Sequence, residues 1–92
     1  MEDQELTLAS AQVAALARFE AAEQALVALQ AAERASSDAL SLVEARYREG
    51  LEDMEAWLGA RRERDEARVS LAQGRAERLA ALAELESVRG VW

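Results

Sequence analysis

Apolar residues recur at alternating steps of four and three along the first half of the chain, from Ala15 to Tyr47. This spacing is the heptad rule of a helix that packs as a coiled coil. Residues 5–47 contain neither Gly nor Pro. The pattern therefore predicts a first helix over residues 5–48. Its packed stripe is Ala15, Phe19, Ala22, Leu26, Leu29, Glu33, Ser36, Leu40, Val43 and Tyr47.

Two members of this stripe, Glu33 and Ser36, are polar. We interpret them as positions where the stripe meets solvent or a partner. A specific buried polar contact is the alternative.

A break in the helical pattern follows at Gly50. Gly just past a helix end usually supplies a left-handed C-cap. Arg46 and Arg48 precede it, where cations favour the negative end of the helix dipole. Asp53 or Glu52 is then placed to start a second helix. We therefore predict a turn over residues 49–52.

The second helix is predicted over residues 53–88, with Gly90 ending it and Val91 and Trp92 forming a short tail. Residues 59–68 are mostly charged, which predicts a solvated surface supported by the pairs Arg61–Asp65 and Arg62–Glu66. The predicted stripe of this helix is Val69, Ala72, Ala76 and Leu79, followed by Leu82 or Ala83. The predicted fold is all-α: one long antiparallel two-helix coiled-coil hairpin over residues 1–92, with its turn near Gly50.

The composition excludes several kinds of active site and metal site. The chain has no Cys and no His, which excludes Cys/His zinc sites, thiol nucleophiles and Ser-His-Asp triads. We therefore predict no enzyme, no cofactor and no metal. A net charge of −7 argues against a nucleic-acid partner. No apolar run reaches the length of about 18 residues that a membrane-spanning helix needs.

The thin packed stripe also predicts self-association. Of the 92 residues, 22 are Ala, so an isolated helix pair buries little apolar area to offset chain entropy. Small domains commonly gain the missing stability by forming oligomers.

From Tyr47 onward the chain resembles the last helical hairpin of the outer-membrane efflux channel family typified by TolC. That family often has Arg-Tyr-x-x-Gly at a hairpin tip, then an Ala/Gln/Arg-rich helix and a final Leu-rich turn with Gly and Trp. The matching residues are Arg46, Tyr47, Gly50, Leu51, Leu58, Ala60, Ala67, Leu71, Ala72, Gln73, Arg75, Leu79, Leu82, Leu85, Gly90 and Trp92.

This resemblance implies a trimeric duct in which hairpins pack side by side as a periplasmic α-barrel, and a hairpin tip that meets a periplasmic adaptor protein. By that likeness Gly50 and Leu51 are the adaptor contact, with Arg46 and Tyr47 as tip support. The family is several times longer and has β-strands, so the chain is expected to be a fragment of a larger channel protein. The expected location is the outer membrane and periplasm, or the cytoplasm if the chain is expressed as written, because its acidic N-terminus lacks the features of a secretory signal.

Two alternatives remain. Trp57, Leu58 and Gly59 spell the Trp-x-Gly signature of the small type VII secretion substrates, in which that motif forms the turn between two helices. A generic coiled-coil scaffold without a transport role is the other. The position of the bend discriminates the first alternative: residues 49–52 favour the channel likeness, and residues 57–60 favour the Trp-x-Gly family.

Overall fold

The computed structural model describes residues 2–90, with side chains from residue 7 onward. The chain forms two helices, α1 (Glu2–Arg48) and α2 (Met54–Arg89). This confirms the prediction of an all-α helical hairpin with its turn near Gly50. α1 begins three residues earlier than predicted, and α2 begins and ends one residue later. The predicted tail, Val91 and Trp92, lies outside the described residues.

The bend between the helices is closed by hydrogen bonds at both ends. Gly50 has a φ of +78°, and its N–H donates to the carbonyl of Tyr47 at 3.0 Å while the N–H of Leu51 donates to the carbonyl of Arg46 at 2.8 Å. This is the Schellman pattern that ends many helices. On the other side, a carboxylate oxygen of Asp53 accepts the N–H of Ala56 at 2.9 Å and so caps the start of α2.

The predicted stripe of α1 is confirmed, because all ten of its residues are buried or half-buried. Ala15 is completely buried, and Leu40 is 7% exposed. The same alternating steps extend the stripe towards the N-terminus through Gln12 to Leu8, both half-buried.

The predicted stripe of α2 is wrong. Leu79 is 65% exposed and Val69 is 56% exposed, and Ala72, Ala76 and Ala83 are exposed as well. Of the predicted residues only Leu82 is half-buried. The less exposed positions instead follow alternating steps of three and four through Trp57, Ala60, Arg64, Ala67, Leu71, Gly74, Arg78, Ala81, Leu85 and Val88.

Long arginine side chains explain part of this difference. The guanidinium of Arg78 lies 5.4 Å from the centre of the Phe19 ring and 3.0 Å from a carboxylate oxygen of Glu23. An arginine can lay its aliphatic stem along apolar surface while its charged end finds a partner. Arg78 therefore occupies a packed position that a search for apolar residues passes over.

The charged segment 59–68 is solvated over most of its length, as the sequence predicts, but not at its packed positions. Ala60, Arg64 and Ala67 are half-buried, and the side chain of Arg64 is only 21% exposed. In place of the predicted ion pairs, Arg64 bonds to its neighbour Asp65 at 2.9 Å and Arg61 lies over the ring of Trp57.

The hairpin divides into two compact units, one formed by residues 1–26 and 74–92 and the other by residues 27–73. In the first, Ala15 and Leu85 are buried and Arg18 bonds to both carboxylate oxygens of Glu84. In the second, Leu40 and Leu71 are buried. These four are the apolar residues buried within the described part of the chain, so each unit has a thin core.

Candidate functional site

The bend in the unit of residues 27–73 presents an apolar side chain to the outside. Leu51 is 66% exposed, and Gly50 beside it is also exposed. Because the bonds of the Schellman pattern fix the backbone on both sides of Gly50, Leu51 is held in this exposed position. The two residues predicted from the sequence as a contact surface thus lie together at the apex of the bend.

An aromatic pair joins the two helices next to the bend. The rings of Tyr47 and Trp57 are stacked, with centres 5.3 Å apart and planes 6° from parallel. The guanidinium of Arg61 lies 5.1 Å from the centre of the Trp57 ring. Tyr47 is on the last turn of α1 and Trp57 on the first turns of α2, so their contact joins the two helices next to the bend. Tyr47 therefore lies where the predicted tip support was placed.

Arg46, the other predicted supporting residue, reaches across the bend. Its guanidinium lies 3.8 Å from a carboxylate oxygen of Glu52. Its carbonyl accepts the bond from Leu51. Exposed ion pairs contribute little stability, so the carbonyl bond is the stronger link between Arg46 and the bend.

Sequence reasoning missed two further apolar residues of this surface. Met54 is 53% exposed and Leu58 is 43% exposed. They stand four residues apart on α2 and so share one face of the helix. The signal for these two was available in the sequence, because Met54 and Leu58 are four residues apart at the start of the predicted second helix, whereas Leu51 lies in the bend before it. We call these three residues the tip strip.

A polar cluster in the same unit occupies the interruption of the α1 stripe. The hydroxyl of Ser37 donates to the Glu33 carboxylate at 2.9 Å, and the Arg68 side chain donates to the same oxygen at 3.4 Å. The Ser36 hydroxyl donates to the Glu33 carbonyl at 2.8 Å. The bond from Ser37, with a smaller contribution from Arg68, lowers the pKa of Glu33 below its ordinary value of 4.5 despite partial desolvation. The structure at this point is nearer to the alternative of a specific polar contact, because Glu33 is half-buried and bonded to Ser37 on its own helix and to Arg68 on α2.

Comparison with known proteins does not place the chain in a family. No family model, curated protein or solved structure matches it.

Within residues 2–90, no helix is apolar enough over a sufficient length to cross a membrane. The described side chains also contain no group of three or more acidic ligands suited to a metal ion. The tip strip is exposed beside several carboxylates. The backbone around it is fixed by the helix caps and by the Tyr47–Trp57 stack.

Proposed function

We propose that this chain is a structural hairpin of a TolC-like outer-membrane efflux or type I secretion channel. In this role it packs beside further hairpins in a periplasmic α-barrel, with three subunits in the family, and meets a periplasmic adaptor at its tip. It acts as a binding and scaffolding element at the outer membrane and periplasm, as part of a larger channel protein.

The observation that carries this proposal is the exposed Leu51 at a bend over residues 49–53. The bend lies where the Arg-Tyr-x-x-Gly likeness requires it, and Leu51 is available for contact. The exposed apolar residues along α2, such as Val69 and Leu79, support side-by-side packing, since a hairpin in a barrel needs apolar surface beyond its own helix contact.

The bend position gives no support to the Trp-x-Gly alternative. Trp57 and Gly59 lie inside α2 (Met54–Arg89), where no chain reversal occurs. A hypothetical Cβ on Gly59 meets no atom within 4 Å, so this residue fills no structural need for glycine.

The proposal is tested by titrating the chain with the helical hairpin of a periplasmic adaptor from the same genome, using calorimetry. We expect binding that Leu51→Glu weakens at least about tenfold, because a charge would replace an apolar contact at the centre of the interface. Val27→Glu is the matched control, since Val27 is also 66% exposed in the same unit but lies far along α1 from the bend. Absence of binding, or equal losses from both variants, would contradict the adaptor role.

A further inference from the structure

One side of α2 carries exposed apolar surface in the unit of residues 1–26 and 74–92. Leu79 is 65% exposed, and Ala76 and Ala83, one turn before and after it, are also exposed. Arg75 is exposed next to them. We call these four residues the α2 ridge. A row of this kind has no partner in its own hairpin, because the α1 contact uses a different side of the helix.

The same unit has a shallow groove between its helices. Its floor is formed by small side chains of both helices, and charged side chains border it. Arg18 and Glu84 on this border are bonded to each other. We call it the alanine groove, and its lining residues are Arg18, Ala21, Ala22, Ala25, Glu77, Ala80, Ala81 and Glu84.

The ridge and the groove lie on different sides of α2. Successive residues of an α-helix are about 100° apart, so the four ridge residues and the four α2 residues of the groove centre on directions about 135° apart around the helix. One copy cannot bring its ridge into its own groove. A second copy can, because the two surfaces do not compete for the same side of the helix.

The charges at the two surfaces are complementary. Arg75 stands on the ridge and Glu77 on the border of the groove, and both are exposed. Among the described residues, neither has an ion-pair partner within its own hairpin, whereas the other charges at the groove border are satisfied. A large apolar side chain such as Leu79 also suits a floor of alanines, as a knob enters a hole between facing helices.

We propose that the α2 ridge of one copy packs into the alanine groove of a second copy, with Arg75 of the first beside Glu77 of the second. This inference rests on the self-association contained in the proposed function and names the surfaces that perform it. Because each copy keeps a free ridge at one side and a free groove at the other, the contact is head-to-tail and repeats from copy to copy.

Sedimentation velocity of the whole chain over a range of concentrations tests the two surfaces. Leu79→Glu places a charge on the ridge, and Ala21→Leu fills the groove without loss of helix propensity. We expect each to raise the dissociation constant at least about tenfold. The matched controls are Val13→Glu, at a site 70% exposed, and Ala9→Leu, at an exposed site outside the groove. Both controls should associate as the unaltered chain does.

The charge pair allows a second test that does not depend on core packing. Arg75→Glu and Glu77→Arg should each weaken association, because each brings like charges together. The double variant Arg75→Glu/Glu77→Arg should associate again, since every junction then joins opposite charges whatever the number of copies. Circular dichroism confirms that every variant keeps its helical content.

The outcomes separate this inference from the proposed function. If the unaltered chain is a monomer at all concentrations, the self-association itself is refuted, and this contact with it. If the chain associates but the ridge and groove variants do so equally well, the ridge-to-groove contact is wrong while the proposed function stands. If the double charge variant does not associate again, the Arg75–Glu77 pairing is overturned.

Discussion

Tyr47 and Trp57 stack as nearly parallel rings, with centres 5.3 Å apart. They come from the end of α1 and the start of α2. The side chains thus join the two helices at the bend, and the backbone hydrogen bonds around Gly50 fix the bend itself. The Nε1 atom of Trp57 is buried and has no hydrogen-bond partner. The indole therefore stabilises the bend through its ring and not through its N–H.

Two replacements of Trp57 separate the contribution of its ring from that of its N–H. Trp57→Leu removes the stack and should lower the free energy of unfolding by at least about 1 kcal/mol, because the aromatic pair is lost in addition to part of the buried apolar area. Trp57→Phe keeps a ring and removes an unsatisfied donor, so it should cost less. Urea unfolding at one fixed protein concentration measures both. Equal decreases in the free energy of unfolding for the two variants would show that ring stacking does not stabilise this position.

Two glycines should respond in opposite ways to alanine. Gly50 has a φ of +78°, where an L-residue is strained, so Gly50→Ala should lower the free energy of unfolding by about 1–2 kcal/mol. Gly59 lies inside α2 with open space around its Cα. Gly59→Ala should therefore raise stability by up to about 1 kcal/mol through helix propensity. Thermal unfolding of both variants tests the signs, and a destabilising Gly59→Ala would contradict the placement of residue 59 in a plain helix.

The α1 stripe and the turn could be predicted from the sequence, but the packed side of α2 could not. The α1 stripe could be predicted because its packed positions are mostly apolar. Gly50 could be predicted as the turn because a long run without Gly or Pro precedes it. The α2 stripe could not, because Gly74 and Arg78 lie on its packed side while Val69 and Leu79 lie outside it. Side-chain polarity alone misidentifies a helix face when arginine stems cover apolar surface and alanines occur on every side.

Arg78 should be more important for stability than its charge suggests. Its guanidinium contacts both the Phe19 ring and the Glu23 carboxylate, and its side chain is 38% exposed. Arg78→Ala should lower the free energy of unfolding by about 1 kcal/mol, from lost packing and a lost cation–π contact. Arg62→Ala is the control, since Arg62 is exposed and should change stability by less than about 0.5 kcal/mol. Similar effects from both arginines would count against a packed role for Arg78.

The Glu33 cluster makes stability depend on pH in acid solution. The Ser37 hydroxyl, assisted by Arg68, holds the pKa of Glu33 below 4.5 in the folded chain. A carboxyl whose pKa is lowered by folding binds protons more readily when unfolded, so it contributes stability above its ordinary pKa. That contribution is lost as the pH falls through the lowered folded-state pKa. The unaltered chain should therefore lose this part of its stability only in clearly acidic solution.

Glu33→Gln isolates this charge, because the amide carbonyl can still accept the bond from Ser37 while no proton is taken up. At neutral pH the variant should be less stable than the unaltered chain in urea unfolding. The difference should shrink as the pH falls through the folded-state pKa, since both side chains are then neutral. Glu20→Gln, at an exposed site on the same helix, controls for the general effect of removing one negative charge. A Glu33→Gln deficit that stays constant from neutral to acid pH would mean that side-chain shape, and not the carboxylate charge, stabilises this point of the hairpin.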